Sequence, residues 1–264
     1  MRMGVLNSKL RMSSSFSNCL VYLHYCLINN INYNSTVFKG TLYELYVKDI
    51  LSKFFKCDLL RNGGAYDNGI DLLGNWDISA INLLPAKNDK KKARLPANCL
   101  LKSDTDLSRV NVWIQCKNLN KKIDAKVIRE LAGIYDFHIN SKQKMSNFIF
   151  LFSPHVLSKQ GLIQMDKSNF PLIHWQLSPL KLTKRSAFET LIDETNLNLV
   201  NMHDRTLFTQ DQLNSYYFDL SNWSCGNLNQ IYMNPFARKA LAGLDIEMQL
   251  DILRRGMNAN LFQA

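Results

Sequence analysis

From Thr41 to Phe55 the apolar residues Leu42, Leu45, Tyr46, Ile50 and Phe54 recur at three- and four-residue steps. That spacing predicts a helix with one face on a core. Thr41, after Gly40, suits an N-cap, with Glu44 three residues on in capping-box position. A short strand is expected at Cys57–Arg61, then a turn-rich stretch through Asn62-Gly63-Gly64 to Gly69, then a strand at Ile70–Leu73. Val110 to Lys117 alternates: Val110, Val112, Ile114 and Cys116 share one face, and Asn111, Trp113, Gln115 and Lys117 the other. Asp124 opens a helix with Ile128, Leu131, Ala132 and Tyr135 inward. Phe148–Phe152 is continuously apolar, as a central strand buried on both faces must be. Ser153-Pro154-His155 ends it, a short helix is expected over Leu157–Met165, and Leu172–Leu177 reads as a further strand.

The succession helix, three strands, helix, strand predicts an α/β fold: a mixed central sheet flanked by helices, in the order αβββαβ. Three regions are expected. Residues 1–34 form a leader or disordered basic tail, 35–180 the core, and 181–264 a mostly helical C-terminal extension, clearest from Pro235 to Arg255. A polar insertion between about Pro85 and Ser108, carrying Lys90-Lys91-Lys92 and Arg94, reads as a surface loop.

Charge narrows the partners. Thirty-two basic residues against 22 acidic give +10 over 264 residues, which favours a polyanion, nucleic acid before anionic membrane. The first acid is Glu44, and Arg2, Lys9 and Arg11 lie among serines and apolar residues, the composition of a mitochondrial transit peptide. The apolar run Cys19–Ile28 is too short to span a bilayer, so no stable membrane insertion is expected. The six cysteines form no CxxC pair and no zinc spacing with the five histidines, and read as reduced thiols.

Into this frame fall Glu44 on the first helix, Asp71 on an inner strand, and Gln115 with Lys117 on the next. Such a set suits phosphodiester hydrolysis. A carboxylate holds a divalent cation that polarises the phosphate and acidifies a bound water. The period of two puts the Gln115 amide oxygen and the Lys117 ammonium on one side, where Lys117 can orient the nucleophile or offset phosphate charge. Oxygen ligands from Asp71, Gln115 and Glu44 suit Mg²⁺ (or Mn²⁺). The blander readings are a turn-associated Asp71, a sheet-edge amide at Gln115 and a capping Glu44. Asp67 reads as a turn residue, Arg129 and Glu130 as a solvated pair with Glu130 a reserve ligand, and His155 as a strand-end histidine.

Gly63-Gly64-x-x-Asp67-x-Gly69-Ile70-Asp71, Ile114-Gln115-Cys116-Lys117 and Arg129-Glu130-Leu131-x-Gly133 resemble the Mrr-type branch of the PD-(D/E)xK nucleases. Ser35-Thr36-Val37-Phe38-x-Gly40-x-Leu42-Tyr43-Glu44 and Ser153-Pro154-His155-x-Leu157 resemble a fungal mitochondrial family, required for respiratory growth protein seven. The resemblance spans about Ser35 to Leu180. It implies a restriction-endonuclease-like fold, a mitochondrial location (the matrix, given the leader) and a link to respiratory growth. Ile70 replaces the motif's proline, and Gln115 stands where most members carry an acid, which removes one anionic ligand.

Two functions follow as expectations. One is a Mg²⁺-dependent nuclease acting on DNA for genome maintenance; the other is a non-catalytic descendant that binds nucleic acid or supports an assembly. An oligomer is left open.

Overall fold

The computed structural model describes residues 16–62, 69–81, 99, 101, 105–139, 145–183 and 219–261. Helix α1 (Cys19–Ile28) is capped by Asn18, which accepts from the Val21 amide. Helix α2 (Thr36–Phe54) is capped by Ser35, whose hydroxyl accepts from the Phe38 amide at 3.1 Å. The expected cap at Thr41 is therefore corrected. The helix begins more than a turn earlier, and Gly40 lies inside it, where an added Cβ would meet nothing within 4 Å. Strands β1 (Cys57–Arg61), β2 (Leu72–Trp76) and β3 (Val110–Cys116) follow, then helix α3 (Ala125–His138), capped by Asp124 as expected. Next come β4 (Asn147–Ser153), α4 (Lys159–Asp166) and β5 (Leu172–Leu177), then short strands β6 (Lys181–Leu182) and β7 (Trp223–Ser224). Strand β8 (Leu228–Met233) and helices α5 (Pro235–Ala240) and α6 (Ile246–Leu261) close the chain.

Six strands make one mixed sheet in the order β1-β2-β3-β4-β5-β8. β1, β2 and β3 are antiparallel neighbours, β3, β4 and β5 run parallel, and β8 returns antiparallel to β5. Residue parity divides the core. Val112, Ile114, Phe148, Phe150, Ile173 and Trp175 bury against α2 residues such as Leu45 and Val47. Ile149, Leu151 and Leu172 bury instead against Ile128, Leu131 and Tyr135 of α3 and Met165 of α4. β4 is buried at every position, which is why its sequence shows no alternation.

Two boundary expectations change. Residues 16–34, expected in a leader or disordered tail, belong to the folded body. Leu23 and Cys26 of α1 are fully buried, Lys48 Nζ donates to the Ser17 carbonyl at 2.9 Å, and the Cys19 amide donates to Asp49. An uncharged helix with four buried residues belongs to a core. Likewise the end of the core expected at 180 is no break in the fold, because β8 supplies the sixth strand. Asn234, fully buried, ties that strand down. Its oxygen accepts from the amides of Leu172 and Ala237, and its nitrogen donates to the carbonyls of Met165 and Phe170. The C-terminal helices α5 and α6 fall where helical pattern was expected. Among the described residues no helix is long and apolar enough to cross a membrane. Gly63-Gly64, Asp67 and the loop Lys90–Arg94 lie outside the described residues.

Candidate functional site

The register of β2 and β3 pairs Leu72 with Ile114, so the preceding residue Asp71 falls opposite Gln115 on the α3 face of the sheet. Its backbone continues the ladder on both sides. The Asp71 amide donates to the Ile114 carbonyl at 2.9 Å, and its carbonyl accepts from the Asn62 amide at 2.7 Å. The carboxylate is thus placed by main chain, not by a loop.

Asp71 and Gln115 are each only 5% exposed. Asp71 Oδ2 accepts from Gln115 Nε2 and from the Cys116 amide, both at 2.6 Å. Hydrogen bonds to a charged acceptor are worth about 1.5–3 kcal/mol each, which offsets the cost of burying the carboxylate. A carboxylate facing an amide demands its NH₂ end, so Gln115 Oε1 turns the other way, toward Gly69. Gly69 has φ +79°, and a Cβ there would come 2.5 Å from Ile134 Cδ1 and 3.5 Å from Gln115 Oε1. Glycine meets both demands without backbone strain or a shift of Ile134.

Lys117 follows on the same face, its amide held by the Phe152 carbonyl at 2.8 Å. Its side chain and Gln115 line a cavity of about 410 Å³ with Gly69 and, from α3, Arg129, Glu130 and Ile134. Lys117 and exposed Arg129 are the basic residues of its lining, with the acid Glu130 beside them, and Lys121, Lys122 and Lys126 are exposed on the chain between β3 and α3 and on the first turn of α3. Glu130 makes only a loose pair with Lys126, 3.9 Å apart on the surface. Gln115 thus touches Asp71 and shares this cavity's lining with Lys117, while Asp71 itself is not part of that lining.

Glu44 is brought near but differently engaged. Its Oε2 is 2.7 Å from Arg61 Nε, with the side chains 16% and 6% exposed. The capping role expected for it is replaced by this ion pair, because the helix starts at Thr36. A carboxylate already neutralised by a guanidinium attracts a cation less. Burial raises the Cys116 thiol well above its ordinary range, reinforced by Asp71 and then Glu44, so it stays protonated. A thiol held protonated in this way is no thiolate nucleophile.

Ser153 and His174 form a second buried polar pair, Oγ to Nε2 at 2.8 Å. Ser153 donates its one hydrogen to the His155 carbonyl at 2.6 Å, so His174 must be the donor in the other bond. Burial lowers the His174 pKa to about 4. A neutral histidine donating to serine cannot take that serine's proton, so the pair is a structural knot. His155 keeps the strand-end role expected.

Arg61 and the Cys116 amide are the partners that sequence reasoning missed. Both act through side chains or strands that meet only after folding, and no spacing signals them. For the metal, the donors at hand are Asp71, the neutral oxygen of Gln115 and the paired Glu44. No group of three or more His, Cys, Asp or Glu residues poised to hold a metal occurs among the described residues. Mg²⁺ is commonly held by one or two carboxylates with waters and substrate phosphates, and this donor set fits that sparse mode only.

Fold and site together define a mixed α/β protein with a buried carboxylate–amide pair and a lysine at one end of its sheet. The family model "Required for respiratory growth protein 7" matches residues 35–241, and the chain belongs to that family. Its relatives include three proteins named "Required for respiratory growth protein 7, mitochondrial". The one from Vanderwaltozyma polyspora is 31% identical over 165 residues, 56% of this chain and 66% of that protein. The one from Kluyveromyces lactis is 27% identical over 241 residues, 86% of this chain and 88% of its own length. The one from Saccharomyces cerevisiae (strain S288c) is 27% identical over 212 residues, 74% and 88%. No solved structure matches.

Proposed function

We propose that this chain works in mitochondria, in support of respiratory growth, as a restriction-endonuclease-like protein that hydrolyses phosphodiester bonds in DNA. The names of its relatives support the location and the respiratory role. The observation that carries the chemistry is the Asp71–Gln115 pair, with Gln115 and Lys117 on a cavity that Arg129 also lines. The succession αβββαβ supports the nuclease fold, though fold alone assigns no activity.

Asp71 would be the anionic ligand of Mg²⁺ or Mn²⁺, with Gln115 Oε1 joining it only once the amide turns from its present bond, and such an ion would supply Lewis-acid polarisation of the phosphate and a more acidic water. Gln115 holds the Asp71 carboxylate in place through its hydrogen bond. Lys117 places a positive charge where the phosphate gains negative charge. Arg129 on the cavity wall and exposed Lys121, Lys122 and Lys126 would hold the backbone without regard to sequence. The test is a cleavage time course on single-stranded, double-stranded and branched DNA and on RNA. Cutting should require Mg²⁺ or Mn²⁺ and vanish in Asp71→Ala and Lys117→Ala. Cutting that survives both variants defeats the assignment.

One observation favours a second reading, a non-catalytic nucleic-acid-binding or structural module. Arg61 already engages Glu44, leaving Asp71 as the anionic donor at the pair. On that reading the same panel binds but is never cut with either metal.

A further inference from the structure

A second cavity, of about 520 Å³, opens on the other side of the segment that carries Lys117. Its walls come from the first turns of α2 (Thr36, Lys39), from Asn118 and Asn120 beyond β3, from Leu180 beyond β5, and from Trp223 of β7. It therefore lies at the carboxyl ends of the parallel strands β3 and β5, where open α/β sheets place their ligands. Its volume is within the range of small-molecule sites. Lys117 lines the first cavity and Asn118 the second, so the two are one residue apart along the chain.

We infer that this cavity receives an unpaired nucleotide next to the phosphodiester engaged by Asp71, Gln115 and Lys117. The inference rests on the nucleic-acid reading above and adds the form of the substrate. The lining has an aromatic side chain in half-buried Trp223, three side-chain amides in Asn34, Asn118 and Asn120, the ammonium of Lys39 and, among the described residues, no carboxylate. Those are the groups that recognise a nucleotide: an indole stacks on any base, amides pair with base edges, and a lysine meets a phosphate. Asn118 Nδ2 donates to the Lys39 carbonyl at 3.3 Å, which fixes one wall to α2. Among the described residues the lining bears a lysine and no acid, which favours an anionic ligand over a basic peptide. A duplex cannot present a base to such a hollow without unpairing, so the strand crossing from one cavity to the other should be single or frayed.

The test uses the full chain without divalent metal, titrated with a short single-stranded oligonucleotide and with the matching duplex. Trp223→Leu and Asn118→Ala should each weaken single-strand binding, Trp223→Leu by roughly 5- to 100-fold, as expected for loss of one base stack. Duplex affinity should change far less. Single-strand binding should quench tryptophan fluorescence in the wild type and much less in Trp223→Phe. If both variants bind the single strand like wild type while Lys121→Ala with Lys122→Ala does not, the cavity lies off the path and the inference falls, though the nucleic-acid reading stands. That outcome would also fit a cavity built for a peptide. If wild type binds neither oligonucleotide, both readings fall. Should Trp223→Leu prove unfolded by circular dichroism, the exposed-side change Asn118→Ala decides alone.

Discussion

The Gln115 side chain donates to Asp71 Oδ2 at 2.6 Å, so two residues 44 apart in the chain act as one buried polar unit. Gln115→Leu keeps the volume but leaves the carboxylate one donor short. It should cost about 1–3 kcal/mol in urea unfolding. A midpoint equal to wild type would mean that the pair is dispensable.

Gln115→Glu sets a second carboxylate against Asp71. Without divalent ions this variant should be less stable than wild type, because two adjacent carboxylates cannot both ionise cheaply. Millimolar Mg²⁺ or Mn²⁺ should raise its melting temperature more than that of wild type, by mass action on a better ligand set. Identical metal responses would argue against a cation at this position.

Arg61→Ala strips Glu44 of its partner in a largely buried setting. Breaking such a pair costs about 3–5 kcal/mol, whereas replacing both with apolar residues of similar size costs far less. Chemical denaturation of Arg61→Ala beside Arg61→Met with Glu44→Leu distinguishes the two. Equal losses would show that the charge is not what matters.

His174 gives the fold an acid-sensitive side. Its pKa is lowered from 6.5 to about 4, so below pH 6.5 the unfolded chain takes up a proton that the folded chain refuses. Its contribution to stability is intact above pH 6.5 and is lost as pH falls toward 4, by about 3 kcal/mol in full. Melting curves at pH 7, 6 and 5 should show a shallower decline for His174→Gln. Parallel declines would assign the acid sensitivity elsewhere.

The packing of α1 makes a prediction about the mature protein. A chain starting at Phe16 should fold, and one starting at Ser35 should be markedly unstable, since Leu23 and Cys26 would no longer fill the core over α2. Leu23→Ala alone should cost about 2–5 kcal/mol. N-terminal sequencing of protein from mitochondria should find a start at or before Phe16. A stable mature chain beginning near Ser35 would refute the role of α1.

Much of this protein is legible in one dimension because its elements carry their own periodicity. The alternation of Val110–Lys117, the unbroken run Phe148–Phe152 and the Asp124 cap are local patterns, and each element stands close to where its pattern put it. Gln115 and Lys117 share a face for the same reason, a period of two that any strand obeys. Tertiary structure alone decided the rest. Cap choice between Ser35 and Thr41 depended on how α2 seats on the sheet, and Glu44 became a partner of Arg61 because β1 folds back beneath that helix. Residues 16–34 carry a composition that suits a leader, yet their burial depends on the surface of a separate helix, as where Tyr22 stacks on Phe38 and Cys19 meets the Leu42 carbonyl. The same holds for β8, whose place beside β5 and whose anchor at Asn234 follow from a pairing across more than 50 residues. Periodicity reports what a segment wants to bury; only the folded chain determines what it is buried against.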